Sequence, residues 1–173
     1  RLISAPLAGD GTIRARLVSQ TDTNPWAKAG LMVRTGTAGN APNYAVFATP
    51  ANGIIVQWRP TAGAITAQIR LAASLPAWVQ IARVGNAYTA FSSPDGITWT
   101  AIPGSTVTLP GLAGPLLAGV AVSGHDVGQL GTLVVENVAI SNTACPAGWT
   151  CGDVNLAGIP GTQAVAGSSW TVQ

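Results

Sequence analysis

Along this chain apolar residues recur at every second position over short stretches, and no stretch sustains the 3.6-residue period of an amphipathic helix. Within 12–20, Ile13, Ala15 and Leu17 share one side, and Arg14 and Arg16 the other. Within 64–71, Ile65, Ala67, Ile69 and Leu71 oppose Thr66, Gln68 and Arg70. Such one-sided runs suit antiparallel sheets with one face buried and one wet. The pattern predicts strands near 12–20, 28–35, 43–49, 53–59, 64–71, 77–84, 87–92, 97–102, 105–109, 115–123 and 129–141. Asp95-Gly96 between two such runs predicts a two-residue type I′ hairpin, and Asn52-Gly53 and Gly85-Asn86 mark two more reversals. Short strands, frequent turns and no helix predict an all-β fold, a sandwich in preference to a barrel.

The pattern stops near Asn142, which places a boundary between a body, residues 1–141, and a tail, residues 142–173. The tail is rich in Gly and Ala and ends in two further strand candidates, 162–166 and 169–173. At 173 residues the chain fits one domain with a short extra segment. A chain of this length buries roughly 70% of its extended surface on folding and needs no metal or disulfide to do so.

Charge narrows the function classes. Charged residues make up 8% of the chain, Lys28 is the only lysine, and seven arginines are scattered rather than clustered. A nucleic-acid binder would carry a dense basic stripe with interleaved aromatics. The sequence has none. No apolar run approaches the ~18 residues that cross a bilayer as a helix. Residue 1 is Arg rather than Met, so a processed or excised piece is expected. Cys145 and Cys151 close a short loop, Cys-Pro-Ala-Gly-Trp-Thr-Cys, and with one His they are too few for a closed zinc shell. A disulfide is favoured over two free thiols; it would contribute about 2 kcal/mol and imply an oxidising compartment. A secreted or surface location follows as the expectation.

Catalytic signals are weak. Glycoside hydrolysis needs two carboxylates facing each other across a sugar, yet Glu136 is the only glutamate and the aspartates sit mostly in turn contexts. His125-Asp126 could be read with a serine as a triad, but neighbours on a strand point to opposite faces, and His125 fits a loop at the end of strand 115–123. No Gly-x-Ser-x-Gly elbow is present. Gly9-Asp10-Gly11 reads as a turn rather than a phosphate cradle, since no helix follows it. Ser93-Pro94-Asp95-Gly96-Ile97-Thr98-Trp99 resembles the Asp-box turn of sialidases, one residue short, and a full Asp-box is itself a hairpin staple.

For sugar binding the useful groups are exposed aromatic faces and planar polar side chains. Trp58 beside Gln57 and Arg59, Trp26 after Asn24-Pro25, and Tyr44 after Pro42-Asn43 are the candidates. Core packing is the competing reading, balanced for Trp58 and Trp26 and favoured for Trp78 and Trp99. Trp149 and Trp170 in the tail are expected to dock that tail onto a sandwich.

Gly9-Asp10-Gly11-Thr12-Ile13, then Asn24-Pro25-Trp26-Ala27-Lys28-Ala29-Gly30-Leu31-Met32-Val33-Arg34, Val84-Gly85-Asn86, the Ser93–Thr100 turn and Ala118–His125 follow one another along the chain. Together they resemble the bacterial laminin-G-like branch of the concanavalin A-like lectin/glucanase superfamily, over about residues 2–141. The resemblance implies a jelly-roll sandwich of two antiparallel sheets. It implies further a bacterial, extracellular module of the kind appended singly or in tandem to secreted hydrolases and surface proteins, where carbohydrate binding is commonly presumed. Calcium is the one cofactor it brings into question. Laminin-G-like modules sometimes hold it through loop Asp and carbonyl oxygens, with Asp22 and Asp126 as candidates here against a reading as solvated turn acids. In such modules a strand resembling 162–173 opens the domain and a connector leads to one that continues into Arg1-Leu2-Ile3; here the opening strand comes last. The chain therefore resembles a window cut from a tandem array. Its tail would add a strand to this sandwich or to a neighbour's, through Thr162, Ala164, Ala166, Trp170 and Val172.

Two functions are left in contention. One is a structural or adhesive repeat of an extracellular fibre whose partners are copies of itself or neighbouring modules. The other is a polysaccharide-binding module of a secreted hydrolase. Neither is an enzyme.

Overall fold

The computed structural model describes residues 1–142 and the backbone of two later strands. In chain order the strands are β1 (Leu2–Leu7), β2 (Gly11–Gln20), β3 (Lys28–Arg34), β4 (Asn43–Thr49), β5 (Gly53–Arg59), β6 (Ala67–Leu71), β7 (Ala77–Val84), β8 (Ala87–Ser93), β9 (Thr100–Ala101), β10 (Val107–Thr108), β11 (Leu116–Ser123), β12 (Leu133–Asn142), β13 (Gln163–Ala166) and β14 (Ser169–Val172). All pair antiparallel. One sheet runs β1-β11-β3-β4-β5-β6 and the other β10-β8-β7-β2-β12, with β9 beside β8. This is a jelly-roll sandwich of two antiparallel sheets.

Alternation dictates the core. From β2 come Ile13, Ala15 and Leu17, from β3 Leu31 and Val33, from β4 Tyr44, Val46 and Ala48, and from β7 Val79 and Ile81, all buried between the sheets. At its centre Tyr44 stacks on Tyr88 at 5.6 Å and on Trp58 at 6.5 Å. Each phenol needs an acceptor in this dry setting: Tyr44 Oη donates to Ser105 O at 2.8 Å and Tyr88 Oη to Leu112 O at 2.6 Å. Burial pushes the Tyr44 hydroxyl well above the ordinary phenol range.

Three expectations are corrected, and one strand is added. Strand 64–71 starts only at Ala67, because β5 ends at Arg59 and offers no partner beyond the Trp58–Ala67 pair; Ile65 is 92% exposed. The runs 97–102 and 105–109 shrink to two-residue bridges. Leu2–Leu7 is a strand despite Pro6, tolerated because β1 is a sheet edge. Asp95-Gly96 is not a type I′ turn, which needs positive φ at both residues; of the two only Gly96 has it, at 76°.

The loop 94–99 is instead organised by the Asp95 carboxylate. Asp95 Oδ1 accepts from Ile97 N at 2.8 Å, Thr98 N at 2.7 Å and Ser93 Oγ at 2.9 Å. Gly96 is required by its φ and by Trp78, whose ring lies 2.7 Å from where a Cβ would stand. The amides of Thr98 and Ile97 hold the carboxyl down to about 2. A depressed acid contributes stability above its ordinary pKa near 3.8, and that contribution is lost as pH falls through about 2. Amide exchange at Ile97 and Thr98 is therefore expected to speed up with a midpoint near 2, and Asp95→Asn should abolish that midpoint. Unchanged protection at pH 1.5 would refute the staple.

β13 and β14 pair with each other, Gln163 opposite Val172 and Ala166 opposite Ser169, in a two-stranded sheet of their own. The tail thus supplies no strand to either sheet of this sandwich in the described residues. Of the assembly positions, Ala164 and Ala166 lie on β13 and Trp170 and Val172 on β14; Thr162 lies outside the described residues, as do Cys145, Cys151 and Trp149.

Candidate functional site

Two places on the body are open to a partner. The first is the side of the sandwich where β1 and β12 end their sheets. Arg1 and Val122 exchange both main-chain hydrogen bonds, at 2.7 and 2.9 Å. Antiparallel alternation then turns the main-chain groups of Ile3 and Ala5 toward β11, and those of Leu2, Ser4 and Pro6 away from it. Pro6 has no N–H, so the outer edge of β1 is blunted.

β12 pairs only with β2 among the described residues, which leaves its other edge unpaired. Its ladder is interrupted between Glu136 and Ala139, where Asn137 takes φ 53°, so the edge divides into Leu133–Glu136 and Ala139–Asn142. The six-stranded sheet overhangs the five-strand path here. Ile3 points to the core side of β1, beside Val120, yet is 74% exposed because no strand lies beyond β12 to cover it. A slot of about 590 Å³ results, lined by Ile3, Ala5, Val120, Leu133, Val135 and Val138. Sequence periodicity missed this slot; within the run Leu-Ile-Ser-Ala-Pro-Leu, Leu7 enters the core and Leu2 the outer cluster, and Ile3 alone of the large apolar residues is left uncovered.

The second place is the outer face of the six-stranded sheet. Register puts Gln57 opposite Ala45, Ala45 opposite Met32, and Met32 opposite Gly119, so this row crosses β5, β4, β3 and β11 on the side away from the core. The next row brings Phe47, Gly30, Ala121 and Leu2. Ala45, Phe47 and Ala121 form a second, smaller apolar cluster with Leu2 and Met32 packed on it. A groove of about 600 Å³ runs over this floor, edged by Lys28, Arg34, Gln57 and His125.

Its edge groups are held by neighbours. Lys28 Nζ lies 2.8 Å from His125 Nε2, the lysine donating to a neutral imidazole, and 5.9 Å from the Trp26 ring centroid. Burial lowers the Lys28 pKa; burial and then the Lys28 charge lower that of His125. His125 itself sits at φ 54°, in the left-handed region a non-glycine residue seldom occupies. Arg34 donates to Ala38 O and points Nη1 at Met32 Sδ, 3.8 Å away, while its Nε is buried without an acceptor. Burial, then Arg59, lowers its pKa.

The residues picked from sequence for sugar contact separate. Tyr44 and Trp58 stand on the core side, Tyr44 fully buried and Trp58 packed against the core, so neither offers a face to a ligand. Even-numbered positions of β4 and β5 point inward, and Pro42-Asn43 places Tyr44 on that side. Gln57 reaches the groove. Arg59 shares the outer side but is occupied, donating to Gly39 O at 2.9 Å and Ala64 O at 3.1 Å. Trp26 is 39% exposed beside Lys28. Trp78 and Trp99 leave the core as well. They pack edge to face at 6.5 Å, half-buried on the outer side of β7.

The acids do not converge. Glu136 is tied to Arg16 at 2.7 Å, Asp10 accepts from Gly85 N, Asp126 accepts from Gln129, and Asp22 shares a cleft with Arg70. Among the described residues no three of His, Cys, Asp or Glu come together. Asp22 and Asp126 each stand without a second acid, which is poor provision for the six to eight oxygens of calcium. No helix among the described residues is long and apolar enough to cross a membrane.

No family model and no curated protein matches the sequence. Solved structures do resemble the fold. A functionally unknown protein from Saccharomyces cerevisiae superposes with TM-score 0.59 at 15% identity, over 83% of this chain and 75% of that one. A GH43 protein from Bacillus licheniformis gives 0.53 at 10% identity, over 73% of this chain and 26% of that one. A sialidase module, CBM40 of Ruminococcus gnavus bound to α2,3-sialyllactose, gives 0.38 at 19% identity, over 64% and 63%. What these comparisons share with the chain is the sandwich.

Proposed function

We propose that the chain is a non-catalytic, extracellular building block of the laminin-G-like kind, joined to further copies by a strand laid along β12. The observation that carries this reading is the uncovered slot between β1 and β12. A strand added there would take up the free main-chain groups of β12 and cover Ile3, worth about 1.5–3 kcal/mol for a side chain of that size.

The occupant is residues 163–172 of another copy. β12 offers four residues, with a register shift against β2 between Val134 and Val135, a two-residue interruption at Asn137-Val138, and four more. The tail has the same metre: four in β13, Gly167-Ser168, four in β14. Within one chain β13 and β14 bond to each other and leave the slot open. A two-stranded ribbon is marginal alone in water. Non-catalysis is supported by the acids, each of the described ones lying in a turn, a loop or an ion pair.

Sedimentation of the whole chain from 1 µM to 1 mM should show concentration-dependent self-association. Ile3→Asp and a chain ending at Pro160 should both stay monomeric over that range. A wild-type chain that is monomeric throughout, or a shortened chain that still associates, would remove the proposal.

A second reading, a polysaccharide-binding module of a secreted hydrolase, is favoured by the groove on the outer face. Its apolar floor and planar polar edge are what a sugar ring requires.

A further inference from the structure

The groove on the outer face has one sign of charge. Lys28, Arg34 and His125 edge it, Arg1 stands at one end, and no acid lines it. The single ion pair among the described residues, Arg16–Glu136, belongs to the other sheet. Lys28 and Arg34 are thus partly withdrawn from water with no carboxylate beside them, an arrangement that costs free energy until an anion arrives. Arg34 has capacity to spare. Its Nη1 faces only a thioether at 3.8 Å, while Nη2 is taken by Ala38 O and Nε is buried. The planar guanidinium can therefore offer Nη1 to a carboxylate or sulfate oxygen. Below these groups lie Met32, Phe47 and Ala121, an apolar floor against which the C–H face of a pyranose can rest. Gln57 offers an amide to a ring hydroxyl. A neutral sugar would satisfy the floor and Gln57 and leave the cations unmatched.

We infer that this groove binds an anionic polysaccharide, whose carboxylate or sulfate half-ester groups meet Arg34 and Lys28 while its rings lie on Met32. The inference rests on the second reading above and names its ligand class. It does not depend on strand exchange: Lys28, Arg34 and Met32 line the groove and not the slot, which shares only Arg1 and Val122 with it.

The test is titration calorimetry of the whole chain with four polymers: polygalacturonate, κ-carrageenan, xylan and dextran. Binding is expected to polygalacturonate, carrageenan or both. Polygalacturonate alone identifies carboxylate as the partner, and carrageenan alone identifies sulfate. Affinity should fall at least tenfold for Arg34→Ala and for Lys28→Ala, and less for Arg34→Lys, which keeps the charge but loses the planar guanidinium. Arg14→Ala, on the exposed face of the other sheet, should change nothing; thermal unfolding of each variant confirms that it folds. Binding to xylan or dextran as tight as to the anionic polymers would overturn the inference and leave the sugar-binding reading in place. An equal loss in Arg14→Ala would overturn it as unspecific attraction. No binding to any of the four would overturn both.

Discussion

Tyr44→Ala is expected to destabilise the sandwich by about 3–5 kcal/mol, the range for deleting a fully buried aromatic side chain. The ring has no slack on any side. It stacks between Trp58 and Tyr88, and its hydroxyl closes the loop at Ser105 through a 2.8 Å bond. Truncation leaves a cavity and strands the Ser105 carbonyl together. Tyr44→Phe separates the two effects: it keeps the stack, loses only the hydroxyl, and should cost about 1–2 kcal/mol. Urea unfolding at constant m-value measures both. A loss below about 1 kcal/mol for the alanine variant would mean that the two sheets do not meet around this ring.

Gly119→Val should be nearly as damaging, at about 3 kcal/mol, though for a different reason. Gly119 lies in the middle of β11 opposite Ser4, and any Cβ there would collide with the Ile3 carbonyl. The obstacle is main chain rather than a side chain that can turn away, so β1 must lift off β11. The resulting signature is local. The amides of Ile3 and Ala5, which bond across to β11, should exchange with solvent orders of magnitude faster, while those of β3 and β4 keep their protection. Equal loosening across the whole sheet would contradict the placement of β1 at its edge.

Strand periodicity was readable wherever both faces of a strand had settled surroundings. β2 follows its alternation residue by residue, with Ile13, Ala15 and Leu17 buried and Arg14 exposed. β4 is buried along its whole length and so carries no alternation, yet its two faces enter different clusters. Alternation could not say which of them a ligand would see. That is why Trp58 stays balanced between core and sugar contact on sequence alone and Tyr44 reads as a sugar candidate, while Arg34, Lys28 and Met32 on the opposite side carry no such signal. Their convergence is a matter of register across four strands, far apart in sequence. Asp95-Gly96 failed as a hairpin signal for a more local reason: the carboxylate has four donors to collect, and a two-residue turn cannot bring them within reach. Alternation could not mark the slot, because an absent strand leaves no pattern; only the displaced order of the motifs points to one.

The unequal endings of the two sheets bear on how any assembly would grow. Pro6 interrupts the outer rim of β1, so of the two strands that border the slot only β12 offers its main chain to an added strand. If the tail of one copy fills that berth on another, the contact is heterologous, and it closes into a swapped pair or ring or runs on as an open line according to the angle between copies. A copy shortened before residue 163 would still accept a neighbour and offer nothing onward. Mixed in at a few per cent, it would set the length of every line it joined.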